Sequence, residues 1–182
     1  MKKIIMAAAI VCAATIANAA AVDWSANAVV DPVATAAAGK NTPANGWLGY
    51  VVMANDYATI AADLANGDTS SLVAKHVGEA KTTTNKGAFS TGTATGNVEG
   101  GDQTFYLIVL NAGDLDSATS FFTSAARPES INAALPTTIT FGSQAAASKD
   151  SANWTAMSVP EPTSGLLLLL GMAGLALKRK RA

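Results

Sequence analysis

Cysteine is almost missing from this 182-residue chain, with Cys12 standing alone near the start. Val11 precedes it, where a lipid-attachment site wants a small residue, so lipidation is not expected. If the first nineteen residues are removed, the remainder has no cysteine. That excludes a disulfide, a thiolate metal site and a cysteine nucleophile, and leaves an ordinary hydrophobic core to hold the fold. Histidine is as scarce: His76 is alone, and no G-x-S-x-G accompanies it. One histidine is too few for a zinc site without cysteine, and a Ser-His-Asp arrangement has no motif to support it.

Positive charge is scarce as well. Six of the twelve Lys and Arg residues sit at the two ends. Between them the chain keeps Lys40, Lys75, Lys81, Lys86, Arg127 and Lys149 against twelve carboxylates, a net charge of -6 for residues 20–158. Nucleic acid needs a basic face, so it is excluded as a partner. What the chain has in quantity is Ala, Thr, Ser, Gly and Asn, a composition suited to a β-rich exported domain with many turns.

The N-terminus has three parts. Lys2 and Lys3 are followed by an almost wholly apolar run, Ile4 to Ile16, and then by Ala17-Asn18-Ala19. This is the pattern of a secretory signal peptide, with Ala17 and Ala19 at the positions read by signal peptidase and cleavage before Ala20. The competing reading, a buried N-terminal helix, accounts for neither the leading charge nor the A-x-A.

The other end reads Val159-Pro160-Glu161-Pro162, then an uncharged stretch over 163–177, then Lys178-Arg179-Lys180-Arg181 and Ala182. A helix over Gly165–Leu177 reaches only about 20 Å against a hydrocarbon core of about 30 Å. It is nonetheless apolar on every face, unlike a core helix. The four cations hold to the cytoplasmic side and snorkel to the headgroups, which lengthens the span. A transmembrane helix at about 163–177 with its C-terminus in the cytoplasm is the expectation, with 178–182 as a basic tail.

The PEP triplet, apolar segment and basic cluster, in that order and paired with a signal peptide, resemble the PEP-CTERM sorting domain. The resemblance covers about 159–182 and nothing upstream. It implies recognition by exosortase, an integral-membrane cysteine transpeptidase or protease, with cleavage near Pro160-Glu161-Pro162. It also implies delivery to the surface or extracellular matrix of a bacterium that makes exopolysaccharide. The two prolines keep that strip extended and free of backbone donors, and Glu161 offers one charge for recognition. A rigid spacer before a permanent anchor is the plainer alternative.

Residues 20–158 amount to one domain. Trp47–Met53 reads as a buried strand, and Gln103–Asn111, flanked by turn signals at Gly100-Gly101-Asp102 and Ala112-Gly113-Asp114, as a strand buried on both faces. Thr119–Ser124 is expected to fold back on the second as a hairpin. Thr137–Phe141 alternates, with Ile139 and Phe141 on one face, and Phe89–Val98 reads as a weak edge strand. A helix capped by Asp56 over Tyr57–Ala65 is expected to end at Asn66-Gly67. A second turn capped by Asp68 is expected to run through Leu72, Lys75 and His76 and stop at Gly78. Ala34–Gly46 reads as a loop. The sum is a mainly β fold, a single sandwich or jelly-roll-like domain with a short helical insertion, between an N-terminal signal helix and the C-terminal membrane helix.

Catalytic, cofactor and metal residues are not identified. Asp114 and Asp116 are the nearest carboxylate pair, and with Asn111 they offer oxygens for calcium, but they lie in a turn that favours Asn and Asp for backbone reasons and lacks EF-hand spacing. Asp102 carries the same two readings. Trp47 is expected in the core, and Trp24 and Trp154 are expected to pack together, with sugar stacking as the alternative use of the tryptophans. Asn153-Trp154-Thr155 fits a glycosylation acceptor pattern that a bacterial exported protein would not normally use. The expectation is an exported, non-enzymatic surface or matrix protein. An exopolysaccharide-binding module and a secreted hydrolase using Asp114 or Asp116 are the alternatives.

Overall fold

The computed structural model describes residues 19–158. In chain order the strands are β1 (Ala19–Ala26), β2 (Leu48–Met53), β3 (His76–Thr82), β4 (Thr95–Glu99), β5 (Gly101–Leu110), β6 (Ser120–Thr123), β7 (Arg127–Ile131), β8 (Thr137–Phe141) and β9 (Trp154–Ala156). The helices are α1 (Pro32–Ala38), α2 (Ala54–Ala65), α3 (Ser70–Lys75) and α4 (Ser143–Ala146).

The larger sheet grows around the apolar runs. β5 pairs antiparallel with β2 along one edge, from Met53↔Phe105 to Gly49↔Val109. Along its other edge β7 takes the first half and β6 the second. The order continues outward to β3 beyond β2 and to β9 beyond β6. Between β6 and β7 the buried Ser124 keeps the edge satisfied: its hydroxyl accepts from Leu107 N–H and its own N–H donates to Leu107 C=O, both at 2.9 Å. The smaller sheet has the order β4-β1-β8, with β1 antiparallel to β4 and parallel to β8.

Alternation along β5 explains why the run is apolar at every position. Phe105, Leu107 and Val109 point to the small sheet, where they meet Trp24, Val98, Ile139 and Phe141 in one core. Ile108 and Leu110 point the other way and, with Tyr50 and Val52 of β2, pack on Ile60, Leu64 and Leu72 from α2 and α3. A strand with core on both faces has no place for a polar side chain. The molecule therefore has three layers, small sheet, large sheet and helices, and it is mainly β with two sheets, as expected.

Several expectations change. The helical insertion is a third layer that buries the outer face of the large sheet. The parallel β1–β8 pairing departs from the jelly roll, whose neighbours run antiparallel. Gly101 and Asp102 belong to β5 and pair with Ile131 and Ser130 rather than forming a turn. The segment over 34–46 is not all loop: Asp31 Oδ1 accepts from Val33 and Ala34 N–H at 2.9 Å, Pro32 opens α1, and Gly39 closes it at φ 65°. α2 starts at Ala54 with Met53 as its N-cap, so Asp56 lies in the first turn and pairs with Lys75 at 2.8 Å. α3 ends at Lys75, and His76 opens β3. Gly78, at φ 72°, lies where the β2–β3 register shifts, a bulge position that needs glycine rather than a helix stop. Only part of the Phe89–Val98 stretch is strand: β4 begins at Thr95, and Phe89 forms an isolated bridge with Ala26.

Candidate functional site

The three tryptophans separate into two kinds. Trp24 is fully buried and tilts against Phe89 with ring centroids 5.0 Å apart. Trp154 does not reach it; its partner is Trp47, edge to face at 5.4 Å and 80°. Trp47 is not a core side chain either. It stands just before β2, half-buried, packed on the core with part of its ring outside. Both differences follow from topology. β9 is added to β6, so Trp154 sits opposite Phe122 at the large sheet's edge, away from β1.

The Trp47–Trp154 pair lines a cleft of about 390 Å³. Trp154 is locked, because its indole N–H donates to the Ser148 carbonyl at 2.7 Å. Ser148 is itself buried and its hydroxyl accepts from Val30 N–H at 2.8 Å, which holds the start of α1 against the same wall. Asp31, Asn111, Ser120 and Ser151 supply the cleft's polar lining, and Pro32 and Val33 an apolar lip. Asn111 is committed to the β5–β6 turn: its Oδ1 accepts from Thr119 and Ser120 N–H at 2.9 and 3.0 Å. Asp31 uses Oδ1 for the helix cap, which leaves Oδ2 for the cleft. Sequence reasoning singled out the two tryptophans, but not Asp31, Ser120 or Ser151, which come from distant segments.

The acidic turn is held together by its own side chains. Asp114 accepts from Ser117 N–H at 2.7 Å and from the Ser117 hydroxyl at 2.9 Å. Those bonds, the hydroxyl's foremost, hold its carboxyl below the ordinary value. A general acid needs the opposite shift. The Asn111 oxygen has both lone pairs occupied and is not offered to a cation. Among the described residues no cluster of three or more His, Cys, Asp or Glu side chains is gathered for a metal. His76 sets its ring edgewise on Tyr50 at 5.3 Å, with Nδ1 2.8 Å from the Val73 carbonyl.

Both ends of the described chain are built into the domain. Ala19 pairs with Glu99 and Ala20 with Val98, so the strand begins one residue before the expected cleavage point. At the other end Met157 is buried in the core beneath α2 and donates its N–H to Thr119 C=O at 2.9 Å. Ser158 N–H donates to Ala65 C=O, at the C-terminus of α2, at 3.0 Å. The next residue is Val159, and Pro160-Glu161-Pro162 follows at once. Residues 158–181 match the family model of the PEP-CTERM protein-sorting motif. The chain carries a PEP-CTERM sorting motif. That motif marks an exported protein that is anchored transiently in the membrane and processed by exosortase, a membrane enzyme. No curated protein and no solved structure matches the chain.

Ala17, Pro160, Glu161, Pro162, the span expected at 163–177 and Lys178, Arg179, Lys180 and Arg181 lie outside the described residues. Among the described residues no helix is long and apolar enough to cross a membrane.

Proposed function

We propose that the protein is a non-enzymatic component of the cell surface or extracellular matrix, exported by an N-terminal signal and sorted through its C-terminal motif. Signal peptidase cuts before Ala20. The apolar segment over 163–177 then halts transfer with Lys178–Arg181 in the cytoplasm, and exosortase cuts near Pro160-Glu161-Pro162 to pass the body outward. The match over 158–181 carries this reading. The junction supports it: the end of the described residues is built into the domain, with Ser158 N–H bonded to Ala65 C=O, and in sequence the motif follows at once.

The intact mass of the protein from the native cell's envelope and medium fractions tests it. A mass ending near Pro162 and lacking the basic end is the expected result. A species running from Ala20 to Ala182, confined to the membrane, would make the tail a permanent anchor. Location in the cytoplasm, or location unchanged by deletion of 160–182, would overturn the sorting reading as a whole.

A further inference from the structure

We propose that the Trp47–Trp154 cleft binds a neutral saccharide unit, a pyranose ring laid against the open part of the indoles with its hydroxyls reaching toward Asp31, Ser120 and Ser151. The proposal stands on the cleft and does not depend on how the tail is processed.

The chemistry of the lining selects this class. The volume, about 390 Å³, lies at the small end of the range for small-molecule sites, suited to one ring rather than a large cofactor. An indole face is flat, apolar and negative at its centre, and so attracts the slightly positive C–H groups of a sugar ring. Trp154 is fixed by its bond to Ser148, so little side-chain entropy is lost when a ring settles on it. The polar groups are the Asp31 carboxylate, the Ser120 and Ser151 hydroxyls and the Asn111 amide, already bonded within its turn; the carboxylate accepts from sugar hydroxyls and the serines accept from and donate to them. Among the described residues no Lys, Arg or His lines the cleft, and Asp31 adds negative charge, so the lining disfavours a phosphate or an anionic sugar. A flat aromatic ligand would leave the polar lining unpaired, which is unfavourable once water is excluded. Val33, 77% exposed at the lip, is the apolar surface that a bound ring would cover.

Intrinsic fluorescence reads the site directly, because Trp24 is sealed in the core and the other two tryptophans line the cleft. The full chain in mild detergent is titrated into the millimolar range with neutral glucose, galactose and mannose, with oligosaccharides of each, and with the matching uronic acids. A saturable emission change with at least one neutral sugar is expected, with the uronic acid binding more weakly. Tighter binding of the oligomer assigns the source as a polysaccharide chain, and equal binding assigns a free sugar. Trp47→Ala is expected to weaken binding roughly tenfold. Because that change also removes packing, Ser151→Ala and Asp31→Asn are measured beside it. Asp31→Asn keeps an acceptor for the α1 cap, so the fold holds while affinity falls several-fold. Absence of saturation across the panel with the protein shown to be folded, preference for the uronic acids, or affinity unchanged in all three variants would overturn the proposal.

Discussion

Asp23 and Lys81 form a largely buried ion pair. Asp23 is 3% exposed, and its ion pair with Lys81 joins β1 of the small sheet to β3 of the large one. The Lys81 ammonium also donates to the carbonyls of Trp24 and Ser90 and sits 5.0 Å from the Trp24 ring centre. Asp23 Oδ2 accepts from Gly92 N–H at 2.9 Å. Burial pushes the Asp23 carboxyl up, but the bonds from Lys81 and Gly92 outweigh it and the net shift is down. Asp23→Ala leaves an ammonium buried without its counter-ion, an expected loss of about 3–5 kcal/mol in denaturant unfolding. The pH dependence has a definite sign. The Asp23 contribution is complete above the ordinary value of 3.8 and is lost as pH falls through the lower folded value. Melting curves of Asp23→Asn are therefore expected to depend less on pH below about 4 than those of the parent. Gly49 is constrained in another way. A Cβ there would lie 2.4 Å from Cζ of Phe89, whose ring is wedged against Trp24. Gly49→Ala is expected to cost about 1–3 kcal/mol by overpacking, measured as a lower denaturation midpoint at unchanged slope.

α2 and α3 cover the outer face of the large sheet mainly through Ile60, Leu64 and Leu72, each fully buried. Leu64→Ala is expected to cost about 2–5 kcal/mol and to loosen this layer first, seen as faster hydrogen exchange in α2 than in β5. The Lys75–Asp56 pair between the same helices is half in solvent and adds little, so Lys75→Ala serves as a control near zero. At the other edge, β9 is only three residues long, and it is held by β6 and by the insertion of Met157 beneath α2. A short strand of this kind limits the exposed pairing edge next to the sorting motif.

For the molecule as a whole, the order of strands ties export to folding. β1 is the first strand among the described residues yet lies between β4 and β8, so the small sheet closes only when residues near 141 are available. Such long-range pairing forms late. The proposed cleavage bond, Ala19–Ala20, lies within the ladder that β1 makes with β4. Signal peptidase is therefore expected to cut the precursor during or just after transfer and to fail on a precursor that has already folded. Purified precursor incubated with the peptidase before and after refolding checks this. Equal cleavage in both states would place the processing bond outside the ladder.

What local pattern dictates was legible in the residues themselves. Val51 and Val52, the run from Phe105 to Leu110, and the alternation of Ile139 and Phe141 gave their strands, because backbone period and burial act within a few residues. Asn66-Gly67 stopped α2 for the same reason. The Pro-Glu-Pro, apolar and basic order of the tail identified the sorting motif because a sorting enzyme reads contiguous chain. α1 was legible too, in Asp31-Pro32 and Gly39, but runs of alanine and threonine carry no burial pattern to draw attention to it. Tertiary structure alone decided the rest. The partner of Trp154 depended on which strand edge β9 joined, and the role of Gly78 on the register of β2 against β3. The cleft drew Asp31, Trp47, Ser120 and Ser151 from four separate segments. Contacts across a hundred residues leave no spacing to read, since they form only when two sheets and a helical layer close over shared cores.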